Sequence, residues 1–253
     1  MQDKRYLLNL EQLLAGEESE TLFKEALSKV DAERRQKALR MKKDKGQAAS
    51  LGAGLLLQKA LAGRAEGASR KVSADSEAGE SRETPADSAG GKPKIQLLSV
   101  KELLALIERP VIEPEYGYGR NGKPYFKNYP LKFNLSHSGK YVFCGVSEQE
   151  IGVDIQEMRN AKEMSLAKRF FSEGECRALE RCGNDEERRR MFFRMWARKE
   201  AYGKLTGQGI AGTMKKDLWA DDCENEELIW EEYDIPAGYS VAVCKYSTTG
   251  RFV

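Results

Sequence analysis

The chain has 253 residues, 40% apolar and 32% charged, which is enough apolar material for one large domain or two modest ones around a true core. Forty-two Lys and Arg against forty Asp and Glu leave a net charge of +2, which argues against a general polyanion binder. No stretch reaches the roughly 20 apolar residues of a membrane span, and the charged opening MQDKRYLLNL lacks a signal-peptide core. The expectation is a cytoplasmic protein with neither membrane nor nucleic acid as partner.

In chain order, residues 20–43 read as helix, because Leu22, Phe23, Ala26, Leu27 and Val30 recur at helical spacing. The same segment then turns basic, with Arg34, Arg35, Lys37, Arg40, Lys42, Lys43 and Lys45. A second helix is predicted over 47–62, with Leu51, Leu55, Leu56 and Ala60 inward. Residues 64–93 hold one large aliphatic residue, Val72, and no aromatic. They cannot bury enough apolar surface to offset ordering entropy and are read as a disordered insertion. A short helix is expected at 99–108, a turn-rich stretch from Glu113 to Pro124, and strands at about 131–136, 141–146 and 150–156. Helices follow at 163–171, 172–182 and 185–206, the second opened by Ser172 and Glu175 at capping-box spacing. Strands at 227–233 and 239–246 close the pattern.

Five cysteines stand at 144, 176, 182, 223 and 244 with no CxxC pair, so they read as free thiols of a reducing compartment rather than a zinc ribbon. His137 is the one histidine, which rules out a multi-histidine metal site within one chain.

Four short segments carry chemistry. In Ile151-Gly152-Val153-Asp154-Ile155-Gln156, strand alternation turns the aliphatic side chains to a core and Gly152, Asp154 and Gln156 to the other face. Two readings stand: a pair of hard-cation ligands, or a half-buried strand with a solvated polar face. In the helix containing Trp196-Ala197-Arg198-Lys199-Glu200-Ala201-Tyr202-Gly203-Lys204, Glu200 and Lys204 share a face. They form either a routine surface pair or a metal carboxylate with a phosphate-binding lysine. Gly203 costs up to about 1 kcal/mol in a helix interior, which weighs against a plain scaffold. Phe133-Asn134-Leu135-Ser136-His137-Ser138-Gly139 ends a strand and places hydroxyls and an imidazole where phosphate could bind; a turn or core histidine is the plainer alternative. Gly122-Lys123-Pro124 says little alone. Phe170 and Phe171 read as the buried end of a helix, with a partner-facing rim as the alternative.

Taken together and in this order, GKP, FNLSHSG, IGVDIQ and WARKEAYGK resemble the 4′-phosphopantetheinyl transferase superfamily in its larger, Sfp-type form. The resemblance covers roughly 20–63 and 110–246. It implies an α+β, sandwich-like fold of two similar subdomains in pseudo-twofold arrangement, each a small, mostly antiparallel sheet packed with a long helix. The subdomains would be 1–145 and 146–253, with the active site between them. It implies a monomer that uses coenzyme A as co-substrate with Mg²⁺, or Mn²⁺, and acts on an apo acyl or peptidyl carrier protein. The phosphopantetheine arm would pass to a carrier serine, releasing adenosine 3′,5′-bisphosphate.

By the resemblance, Asp154, Gln156 and Glu200 correspond to the metal ligands, and Asp154, Glu200 and Lys204 carry catalysis. Arg34, Lys37, Ser50, Lys123, Ser136 and His137 correspond to coenzyme A contacts. Gln156 stands where the family often has glutamate, and Ala49 where it often has a basic residue, so the site has one negative charge and one phosphate contact fewer. Two other readings remain: a catalytically weak module that binds coenzyme A or a carrier, and another Mg²⁺-dependent phosphoryl-transfer enzyme.

Overall fold

The computed structural model describes residues 3–42, 45–74, 93–107, 111–219, 228–233 and 235–247. The chain opens with strand β1 (Lys4–Asn9), then the single turn α1 (Glu11–Leu14), α2 (Ser19–Ser28) and α3 (Ala32–Arg40). The helix expected over 20–43 is therefore two. Asp31 adopts an extended conformation and its carboxylate accepts the Arg34 N–H at 3.0 Å, restarting the helix as an N-cap.

Helix α4 (Lys45–Ala74) runs well past the predicted end at 62. The backbone stays helical to Ala74, into the stretch expected to lack structure. Once a helix is nucleated, good helix formers such as Ala, Arg, Glu and Lys extend it at little cost. The rest of that expectation, residues 75–92, lies outside the described residues.

Strand β2 (Ile95–Ser99) leads into α5 (Val100–Leu106), where Ser99 and Glu102 form a capping box. The turn-rich stretch is a small hairpin of β3 (Tyr116–Tyr118) and β4 (Pro124–Phe126). Strands β5 (Lys132–Ser138), β6 (Tyr141–Ser147) and β7 (Ile151–Glu157) follow. Next come α6 (Glu163–Phe170), α7 (Glu173–Glu180), α8 (Asp185–Thr206), β8 (Leu228–Tyr233) and β9 (Tyr239–Tyr246).

Two sheets result. The first has order β2-β1-β6-β5, with β1 and β2 parallel and the other pairs antiparallel. The second, β7-β9-β8, is antiparallel throughout. The last strand of the first sheet ends at Ser147 and the second sheet begins at Ile151.

Strand alternation sorts the core into layers. Leu8, Val142 and Cys144 face α4, packing with Leu51, Leu55 and Leu56. Leu7 and Phe143 face the second sheet and share a core with Ile151, Val153, Ile155, Val241 and Val243. The far face of that sheet, with Ala242 and Cys244, packs on Ala197, Ala201 and Leu205 of α8. The order is helix, sheet, sheet, helix, and each sheet carries one long helix.

A buried ion pair ties the sheets at one side. Arg5 on β1 donates from Nε and Nη2 to both carboxylate oxygens of Glu231 on β8, each at 2.8 Å, and Lys245 on β9 reaches Asp3. Phe171 is buried against Phe192, whereas Phe170 is half-buried beside Trp196. Cys144, Cys176, Cys182 and Cys244 are free thiols, and Cys223 lies outside the described residues. Among the described residues, no helix is long and apolar enough to cross a membrane.

Candidate active site

The site begins with a missing side chain. At Gly152 a Cβ would lie 1.9 Å from the Ala201 carbonyl oxygen and 2.5 Å from the Leu205 nitrogen. Glycine there lets α8 lie directly on β7. The next inward-facing residue of β7 on that side, Asp154, then meets the face of α8 that carries Glu200 and Lys204. Gly203 has a similar cause: a Cβ would lie 2.8 Å from the backbone of Gly209. Its presence in mid-helix is thus a packing requirement, which corrects the sequence argument that a scaffold would not choose it.

The edges of the two sheets also meet here. Strand β5 closes the first sheet, β7 closes the second, and alternate β5 side chains bridge them. Asn134 Oδ1 accepts the Val153 N–H at 2.9 Å, and Ser138 Oγ accepts the Glu157 N–H at 3.0 Å. Between these two, Ser136 Oγ donates to Asp154 Oδ1 at 2.6 Å. The sequence places Asn134 and Ser138 in a candidate phosphate-binding segment but does not reveal that they bridge two strands. Their period-two spacing with Ser136 was the available signal, but the backbone groups they satisfy lie on another strand.

Lys204 Nζ completes the cluster, 2.7 Å from Asp154 Oδ1 and 2.9 Å from Ser136 Oγ. Asp154 is 4% exposed, and its Oδ2 is buried with no hydrogen-bond partner. An orphaned carboxylate oxygen is costly and calls for an external partner. Glu200 faces the same space: burial, and then the Asp154 charge, push its carboxyl above its ordinary value, with Lys204 opposing. Gln156, two residues along β7, is half-buried on the Asp154 side of the strand. This gives two carboxylates and one amide. Among the described residues, no set of three His, Cys, Asp or Glu gathers to hold a metal.

His137 lies within electrostatic reach. It is partly exposed to solvent, yet desolvation, followed by the charge of Lys204, lowers its pKa against the opposing charge of Asp154, with Lys37 adding to the lowering. The imidazole is thereby biased towards its neutral form.

The remaining candidates sit apart from this cluster. Lys123 Nζ is held by Glu150 at 2.9 Å and by the carbonyls of Leu205 and Ile151 at 3.2 and 3.3 Å. It pins the turn to the end of α8, next to Lys204. Arg34 is buried with its guanidinium 5.3 Å from the Tyr116 ring centroid, and Lys37 is exposed one turn further along α3. Ser50 lies on α4 with a buried hydroxyl that has no partner. The other lysine of the α8 segment, Lys199, is fully buried against Glu175 at 2.8 Å and donates to the Lys216 carbonyl at 2.5 Å.

Residues 150–244 match the model of the 4′-phosphopantetheinyl transferase superfamily. Among curated proteins, the chain is 42% identical over 109 residues to the 4′-phosphopantetheinyl transferase HetI of Nostoc sp., covering 40% of this chain and 46% of that one. It is 33% identical over 134 residues to the 4′-phosphopantetheinyl transferase Sfp of Bacillus subtilis, covering 49% and 59%. It is 37% identical over 167 residues to the 4′-phosphopantetheinyl transferase AcpT of Escherichia coli, covering 62% of this chain and 84% of that one. For the first two of these relatives the match spans about half their length. With most of the third relative covered, and the four sequence segments now placed in one layered fold, the chain belongs to the 4′-phosphopantetheinyl transferase superfamily.

Proposed function

We propose that this chain transfers the 4′-phosphopantetheine arm of coenzyme A to a serine of an apo acyl or peptidyl carrier protein. The observation that carries the reading is the convergence of Asp154, Ser136 and Lys204 in direct contact, with Glu200 coupled to them and one Asp154 oxygen left open. The reaction takes place between two subdomains, 1–145 and 146–253, of a monomeric cytoplasmic protein.

A divalent cation, Mg²⁺ or Mn²⁺, fits the residues present. The orphaned Oδ2 of Asp154, the raised carboxyl of Glu200 and the amide oxygen of Gln156 form a hard-oxygen donor set. When bound, the ion supplies charge neutralisation on the pyrophosphate as its P–O bond breaks.

The chain's own residues do the rest. Lys204 and His137 bind and orient phosphate oxygens, and Arg34, Lys37 and Ser50 receive the nucleotide end. Lys123 contributes by fixing the turn beside α8. The carboxylate of Glu200 accepts the proton of the carrier serine as its oxygen attacks the phosphorus bearing the arm. A new serine O–P bond forms, the bond to the adenosine-side phosphate breaks, and adenosine 3′,5′-bisphosphate departs. No covalent enzyme intermediate is needed, so catalysis is mainly positioning.

The test is intact-protein mass spectrometry of apo carrier proteins after incubation with this protein, coenzyme A and Mg²⁺. A mass gain of one phosphopantetheine arm, abolished by chelation, is the expected result. Coenzyme A binding with no gain on any carrier would replace the reading with that of a binding module.

A further inference from the structure

The contact between β5 and β7 is made without a backbone ladder. The two strands are edges of different sheets, and side chains rather than a backbone ladder join them. Asn134 is 6% exposed and Val153 is fully buried, so the bond between them is shielded from water. Val153 immediately precedes Asp154. A second observation marks the same level. Asn134 is paired in register with Gly145 on β6, and a Cβ at Gly145 would lie 2.5 Å from Val153 Cγ1 and 2.9 Å from Ile151 Cδ1. Strand β7 is thus held there by a hydrogen bond on its edge and by side chains fitted over a bare backbone.

We propose that Asn134 is a positioning residue: by accepting the Val153 N–H it fixes β7 against β5 and holds Asp154 where it meets Ser136, Lys204 and the cation. Without that acceptor, the Val153 N–H has no partner on β5. Strand β7 then shifts, and Asp154 moves relative to Ser136, which β5 still carries. Glu157 keeps its own link through Ser138, so the displacement is local to the Asp154 end. A misplacement of about 1 Å costs on the order of 100-fold in rate when geometry carries catalysis. Loss of an outer partner of a metal ligand weakens metal affinity about 10- to 100-fold. The consequence for the reaction rests on the transferase reading; the positioning of Asp154 does not.

The experiment compares wild type, Asn134→Leu, Asn134→Asp and Gly145→Ala. It measures Mn²⁺ binding by calorimetry without substrates, Val153 and Glu157 amide hydrogen exchange by NMR, and kcat and KM for coenzyme A in parallel. Asn134→Leu should speed Val153 exchange and leave Glu157 exchange unchanged. It should weaken Mn²⁺ binding about 10-fold or more and lower kcat about 100-fold, with KM for coenzyme A little changed. Asn134→Asp, which keeps an oxygen acceptor, should recover Val153 protection and most of kcat. Gly145→Ala should reproduce the kcat and Mn²⁺ losses with Asn134 intact. Wild-type Mn²⁺ affinity and kcat in a folded Asn134→Leu variant would overturn the proposal. So would losses in that variant without any change in Val153 exchange. Absence of transfer by the wild type would remove the proposed function, while the Mn²⁺ titration and the exchange of Val153 would still decide the role of Asn134.

Discussion

Helix α8 carries two lysine–carboxylate pairs, five residues apart, built to opposite specifications. At Lys199 the pair is saturated. Glu175 accepts from Lys199 at 2.8 Å, from the Ser172 N–H at 2.8 Å and from the Leu218 N–H at 3.2 Å, while Lys199 also donates to the Lys216 carbonyl. Both side chains are closed to water, with exposures of 0% and 1%. At Lys204 the pair is left open: the lysine is 26% exposed, and Asp154 keeps one buried oxygen without a partner. Charge and helix are shared and both carboxylates are buried, so neither ion pairing nor a buried carboxylate separates scaffold from site. What separates them is whether every polar atom is already used. The first pair locks α7 and the loop before Trp219 to the helix; the second reserves bonding capacity for something outside the chain.

That comparison can be broken in order of effect. Asp154→Ala should lower transfer by on the order of 10⁴-fold, about 5.5 kcal/mol in barrier, with a melting temperature equal to or above wild type. A large melting loss would make the open pair structural after all. Lys199→Met should do the reverse, costing about 3–5 kcal/mol of stability by leaving Glu175 buried and unpaired, while the folded fraction retains turnover. Adding Glu175→Gln should recover part of that stability in denaturant unfolding, because the uncompensated charge is gone. Gly152→Ala should cost about 1–3 kcal/mol by overpacking β7 against α8 and reduce kcat by lifting Glu200 and Lys204 from Asp154. Unchanged kcat would show that the close approach serves packing alone. The smallest change is expected for Gln156→Glu, which adds a third carboxylate and should tighten Mn²⁺ binding by about tenfold or less, ~1.4 kcal/mol, read by calorimetry.

What the sequence made legible followed range of interaction. Ser172 and Glu175 announced a helix start because a capping box is complete within four residues. The alternation in Ile151–Gln156 named the right face for Asp154, since a strand carries its own period. Strand β1 carries little local signal: its apolar run is short, and its neighbours β2 and β6 lie some ninety to one hundred and forty residues away in register, as the pairs Arg5–Ile95 and Arg5–Gly145 show. The break at Asp31 was missed because the apolar spacing continues across it, and only the cap geometry interrupts the helix. Gly203 was misread because its constraint is the backbone of Gly209, which returns against the helix only after the chain has turned. Motif residues were visible as types, but which of them touch was not. Lys123 and Lys199 carry the right chemistry and are spent on internal carbonyls and carboxylates.

The bond between Arg5 and Glu231 spans 226 positions of sequence, and Lys245 reaches Asp3 across 242. During synthesis, β1 leaves the ribosome long before either partner exists. The guanidinium must stay solvated until β8 arrives, because burying it alone would be prohibitive. Closure of the two sheets is therefore a late event, and contacts of such long range make folding slow. A nascent chain arrested before Glu231 should already hold the first sheet, with β1 paired to β2 and β6, while the Arg5 guanidinium stays open to solvent.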